Sequence, residues 1–197
     1  MVAALAFAGV AEAKRIAFGS NLKAPATRSE AHPVDSVFWA KKLQSHGRVR
    51  VPRRGRIATI KIKGTAVRHT SQPNTLISFK VLHPRKHGRV HVRLTSNSYH
   101  LPVGGDPNRV TTYHPVNLCA RKGDYVAFAD VGGYQRSHYP HGTPFQIFSS
   151  VSGSTTNFYS KRNGTNNGAT FKGHRHRGEE LLMRMVVVTG AAAGVCR

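Results

Sequence analysis

The residues with the most chemistry to offer are cations set at every second position. Arg48 and Arg50 flank Val49, Lys61 and Lys63 flank Ile62, Lys80 stands between Phe79 and Val81, and Arg89, His91 and Arg93 alternate with Val90 and Val92. Alternation of this kind sends one set of side chains to each face of a strand. Four half-buried strands are therefore expected over 48–51, 60–63, 77–81 and 89–94, with their aliphatic residues inward and these eight cations outward. No Asp or Glu occurs between Asp35 and Asp106, while 15 of the 30 Lys and Arg fall between Lys41 and Arg93. Ordinary surfaces mix both signs. An unmixed cationic face binds phosphate-rich or sulfated polymers with a strong dependence on salt, so the eight form the candidate polyanion-binding set.

Other chemistries have weaker support. Neutral sugars are held by rings beside amides and hydroxyls, and Tyr134, Tyr139, Tyr159 and Asn166 are the candidates for that role, although each also reads as loop packing or turn chemistry. His174 and His176 would share one strand face, but Lys172, Arg175 and Arg177 surround them and oppose a divalent ion, so no metal site is expected. Asp106, Asp124 and Asp130 are too scattered to suggest calcium, and Asp124 after Gly123 reads as a turn residue. Adjacent Glu179 and Glu180 would point to opposite faces of a strand and cannot act as a glycosidase pair. No Gly-x-Ser-x-Gly turn marks a nucleophile. No cofactor is implied, no catalytic residue is assigned, and the chain is read as a non-enzyme. Nucleic acid is disfavoured as the particular polyanion, because the cationic strands lack interleaved aromatics and no zinc-finger or helix-turn-helix pattern appears.

The elements that must position these residues follow from length and patterning. A chain of 197 residues with 39% hydrophobic residues can bury the core of one domain. Its net charge of +22 and pI near 11.3 make polyanions the default partner class. No apolar run is long enough to span a bilayer. The first residues, MVAALAFAGVAEA, are small and apolar and end in Ala11-Glu12-Ala13, so residues 1–13 read as a signal peptide or its remnant and the protein as secreted or displayed at the cell surface. Cys119 and Cys196 are an even pair that export would allow to bond, stapling the C-terminal tail to the centre of the fold.

Residues 14–34, with Pro25 and small polar residues, read as an N-terminal arm leading to an edge strand near Ile16 to Phe18; residues 35–197 read as the folded domain. Trp39, the only Trp, is expected at the core margin or a sheet end. The stretch LCARKGDYVAFAD, 118–130, reads as a turn at Lys122-Gly123-Asp124 followed by a central strand. That strand places Val126 and Phe128 on one face and Tyr125, Ala127 and Ala129 on the other. Residues 134–144 read as a long loop, 145–149 as a strand, Phe158-Tyr159 as the start of another, 163–168 as turns, and 179–189 as one long last strand favoured over a helix by its valines. Turn signals every 8 to 15 residues, without an amphipathic helix between them, predict a single-domain antiparallel β-sandwich of jelly-roll type.

The segments GSNLKAP, FWAKKL, IKGTAVRH, VLHP, LPVGGDPNRVTTYHPVNLCARKGDYVAF, GTPFQIFS, NGTNNGATF and EELLMRMVV together resemble a group of secreted single-domain β-sandwich proteins of unknown function from actinobacteria. The resemblance spans nearly all of the chain after residue 13. It implies export and a jelly-roll-like sandwich distantly similar to carbohydrate-binding modules, and it brings no activity or functional residue. The expected function is that of an exported cell-envelope or binding protein that contacts teichoic acid, acidic polysaccharide or extracellular nucleic acid. Two alternatives stand beside it: a subunit that self-assembles into a filament or coat through sheet edges or its arm, and a neutral carbohydrate-binding module.

Overall fold

The structure, a computed structural model, describes residues 13–68, 73–130, 139–190 and Cys196. Among these the chain forms strands and no α-helix. In chain order they are β1 (Arg15–Gly19), β2 (Arg28–Glu30), β3 (Ser36–Lys42), β4 (Gly55–Lys63) and β5 (Thr65–Ala66). The middle of the chain supplies β6 (Leu76–Pro84), β7 (Arg89–Thr95), β8 (Tyr99–His100), β9 (Val110–Tyr113) and β10 (Cys119–Ala120). The last part supplies β11 (Tyr125–Asp130), β12 (Phe145–Ser160), β13 (Thr170–Lys172), β14 (His174–Leu181) and β15 (Met183–Val188).

All pairings between these strands are antiparallel, and they build two sheets, as the turn spacing predicts. The smaller runs β1-β15-β4-β10, with β9 also on β4. The larger runs β13-β7-β6-β11-β3-β12-β14, with β2 and β5 on β12 and β8 on β6. The chain changes sheets at Leu182, whose N–H donates to the Ile147 carbonyl and whose own carbonyl accepts from Lys63 N–H. The expected single strand over 179–189 is thus two strands in different layers.

Alternation along β11 accounts for two separate cores. Val126 and Phe128 pack with Phe38, Phe79, Ile60 and Met185 between the sheets, while Tyr125, Ala127 and Ala129 turn the other way and meet Val37, Trp39, Leu82, Val92 and Phe171. All of β11 is buried. The second core exists because the larger sheet curls. β13 pairs with β7 at one end of its strand path, and β14 pairs with β12 at the other, yet only Gly173 separates β13 from β14. One run of chain therefore borders both ends of the sheet and wraps it around the second cluster. Trp39 lies inside this curl, 1% exposed, rather than at the margin expected for it. Its neighbour in register is Asn157, so both side chains enter the curl together.

Several segments depart from the periodic expectation. Residues 48–51 alternate but form no strand, because Val51 spends its backbone on the turn before β11: its N–H donates to Asp124 O and its carbonyl accepts from Gly123 N–H. Phe158 and Tyr159 close the long β12 rather than opening a strand. Within 14–34, Ile16 to Phe18 lie in β1 as expected, paired with β15, and β2 pairs with β12. Cys119 and Cys196 are disulfide-bonded.

Candidate anion-binding site

The eight cations predicted from alternation do not share one face. Lys61 and Lys63 lie on β4 of the smaller sheet, whereas Lys80, Arg89, His91 and Arg93 lie on β6 and β7 of the larger one. Several are engaged within the protein. Lys63 Nζ donates to the carbonyls of Leu22 at 3.1 Å and Ala24 at 2.8 Å, tying the segment after β1 to the sheet. Lys80 is buried inside the curl, where its Nζ lies 3.1 Å from Thr95 Oγ1. Burial pushes its pKa down, and the charge of Asp35 pulls it partly back. Arg93 Nη1 lies 3.0 Å from Asp124 Oδ2, and His91 Nδ1 lies 3.0 Å from Thr170 Oγ1. Lys61 is exposed.

Asp124, read from sequence as a turn residue, does more than shape the turn. It accepts the Arg121 backbone N–H at 2.8 Å, as such turns require, but its fully buried carboxylate also meets His83 Nδ1 at 2.8 Å as well as Arg93. The charges of Asp124 and Arg93 neutralise each other and leave little for a ligand.

Arg50 and Arg89 do converge, at one mouth of the curled sheet. They line a cavity of about 250 Å³ together with Trp39 and Lys41 from β3, Tyr125 from β11, Asn157 from β12, Pro84 at the end of β6, Arg85 and Gly88 from the β6–β7 connection and Val90 from β7. The tight turn there places His87 and Gly88 at positive φ and brings Arg85 and Arg89 to one rim, Arg85 N–H donating to Arg89 O at 2.8 Å. Lys41 and Arg85 were absent from the predicted set. Lys41 could have been found from sequence by continuing the alternation Val37, Trp39, Lys41 out of the core.

The geometry around Tyr125 is specific. Its hydroxyl accepts from Lys41 Nζ at 2.9 Å and from Arg50 Nε at 3.1 Å, and both cations also lie over its ring, 5.3 and 5.0 Å from the centroid. A phenol oxygen that accepts twice still has its own proton to donate. Asn157 is 6% exposed and its Oδ1 has no hydrogen-bond partner, an unusual state for a buried polar atom. Among the described residues no carboxylate lines this cavity.

Two further clefts continue from it. Arg50 is shared with an open cleft of about 630 Å³ lined by Arg48, Arg53, Lys122 and the 47–52 backbone. Arg48 and Gly47 are shared in turn with a third of about 470 Å³, bordered by residues 17–21 and Arg184. The clefts adjoin through these shared residues, and their cations, Arg184, Arg48, Arg53, Lys122, Arg50, Lys41, Arg85 and Arg89, make up a cationic track whose lining holds no acidic residue among the described residues.

The candidate sugar-binding residues are arranged differently. Tyr139 is buried, and the Tyr159 ring stacks on Phe171 at 4.2 Å beside the second core, so these two rings make no exposed platform. Asn166 is exposed in the turn between β12 and β13, and Tyr134 lies outside the described residues. No family model, no curated protein and no solved structure matches this chain.

Proposed function

We propose that the protein is an exported, non-enzymatic binding protein that holds an anionic polymer of the cell wall or extracellular matrix along the cationic track. The observation carrying this reading is that three clefts, adjoining through Arg48 and Arg50, are lined among the described residues by eight Lys and Arg side chains and by no carboxylate. Oxyanions along a polymer replace the counterions that such a row otherwise gathers, which gives affinity that falls steeply with salt. At the mouth of the curl the Tyr125 hydroxyl donates its free proton to the same anion that Lys41 and Arg50 attract, and Asn157 adds an amide.

The rings lining the mouth argue for the kind of polyanion. Trp39 and Tyr125 are 1% and 2% exposed, so neither offers a face on which a base could stack. Phosphate or sulfate polymers without bases, teichoic acid and acidic polysaccharide among them, fit better than nucleic acid. The Cys119–Cys196 bond suits an oxidising compartment, and among the described residues no helix is long and apolar enough to cross a membrane.

The test is retention on immobilised heparin and on teichoic acid at low ionic strength. Release by rising salt supports the reading, whereas no retention, or retention indifferent to salt, overturns it.

A further inference from the structure

Apart from the cationic track, a group of unsatisfied polar atoms lies where β2 meets β14. His176 Nδ1 stands 3.4 Å from Glu179 Oε1 and 3.5 Å from Glu30 Oε1, and His32 Nε2 stands 3.8 Å from Glu30 Oε2. One ligand atom from each of Glu30, His176 and Glu179 falls within 4.8 Å of the others. None of these contacts is a hydrogen bond. His32 Nε2, His176 Nδ1 and both Glu179 carboxylate oxygens are buried without a hydrogen-bond partner, and Glu179 is 0% exposed. Leaving a carboxylate and two imidazoles in this condition is costly, and a folded chain ordinarily supplies each with a partner.

The backbone is arranged to produce this convergence. In a regular strand residues three apart face opposite ways. Gly178, at φ +72°, bends β14 between His176 and Glu179 and brings both to the Glu30 side. Glu180 faces away, accepting hydrogen bonds from Ser20 Oγ at 2.6 Å and Ser154 Oγ at 2.9 Å. The Phe158 ring holds both imidazoles, 5.1 Å from His32 and 4.4 Å from His176.

The spacing is that of donors around an ion rather than of donors bonded to each other. Ligands at about 2.1 Å from a tetrahedral zinc ion are about 3.4 Å apart. The two contacts of His176 match that separation. Imidazole nitrogen mixed with carboxylate oxygen suits zinc and its first-row neighbours and is a poor set for calcium or magnesium. We infer that Glu30, His176 and Glu179 form a divalent transition-metal site that fastens β2 to β14, with His32, which lies outside this close group but 3.8 Å from Glu30, turning in as fourth donor. Arg28 is the competing cation, its Nε 3.7 Å from Glu179 Oε2, and its side chain is 43% exposed, so it has room to move outward.

The test uses the full folded chain, stripped of metal by chelator, with Co²⁺ and Zn²⁺ as the probes. Stoichiometric Co²⁺ should give the intense visible absorption of a tetrahedral site, displaced by one equivalent of Zn²⁺, and Zn²⁺ should raise the melting temperature. His176→Gln and Glu179→Gln should each weaken Zn²⁺ affinity at least tenfold, and His32→Gln should do so with less disturbance of the core. His174→Gln, four residues from the Gly178 bend and with its ring tilted against Phe158 at 5.4 Å, should leave affinity unchanged. A wild-type chain that takes up neither ion stoichiometrically overturns the inference. So does Zn²⁺ affinity that survives all three ligand substitutions, since it must then come from other histidines.

Discussion

Gly173 lies against the edge of Trp39: a Cβ at residue 173 would come within 2.3 Å of Trp39 Cη2. That contact lets one run of chain pass over the indole and border both ends of the larger sheet. Gly173→Ala should therefore destabilise the fold by roughly 2 to 3 kcal/mol, because the indole is already enclosed and has no room to retreat. Denaturant unfolding would measure this, and a cost as small as that of a surface substitution would show that the curl is slack.

Arg48 and Arg50 link the clefts of the track. Replacing both with Ala should move heparin elution to lower salt and reduce the slope of log affinity against log salt by about 2, one for each lost contact. Lys63→Met should leave that slope unaltered, since Lys63 is committed to the Leu22 and Ala24 carbonyls, while lowering stability. Equal effects of the two changes on elution would mean that affinity follows net charge instead of the track.

Asp124 holds Arg93 and His83 with a carboxylate that is 0% exposed. Asp124→Asn should cost about 3 to 5 kcal/mol, because it leaves Arg93 without its counter-charge next to the core. The expected readout is a lower denaturation midpoint with heparin binding retained after refolding at low temperature.

Asp130 is buried, and its Oδ1 accepts both the N–H and the hydroxyl of Ser36. Burial pushes its pKa up to about 7, opposed by those two bonds. The folded state therefore holds a proton that the unfolded chain releases near pH 4, so this group lowers stability as pH rises from about 4 to about 7. Asp130→Asn should reduce the slope of that part of the stability profile, measured by denaturation across the range. An unchanged slope in the variant would exclude Asp130 as its source.

Reducing the Cys119–Cys196 bond opens a loop with a sequence separation of 77 residues. On the chain-entropy account this should lower stability by roughly 4 kcal/mol, read as the difference between oxidised and reduced unfolding curves.

The strand content was legible because alternation reports burial directly. Val126 and Phe128 enter the core between the sheets, and Ile60 and Ile62 join them there, as their spacing requires. Residues 48–51 alternate equally well yet form no ladder, because nothing local announces that the backbone of Val51 will bond to the turn at Asp124. The candidate site was half legible for a related reason. Sequence marks Arg50 and Arg89 as cations beside apolar residues, but the difference between Arg89 at the open rim and Lys63 clamped on carbonyls lies in contacts with distant segments.

Composition and periodicity alone determined an all-β chain of antiparallel strands, a large excess of cations and a cysteine pair far apart in sequence. These are properties of single residues and near neighbours, which a strand expresses wherever it sits. Tertiary structure alone decided that the larger sheet curls over Trp39, that Tyr125 gathers Lys41 and Arg50 at its mouth, and that Glu30 meets His176 and Glu179. Each of those depends on which strands become neighbours. That choice is made by packing two cores at once, and no stretch of sequence contains it.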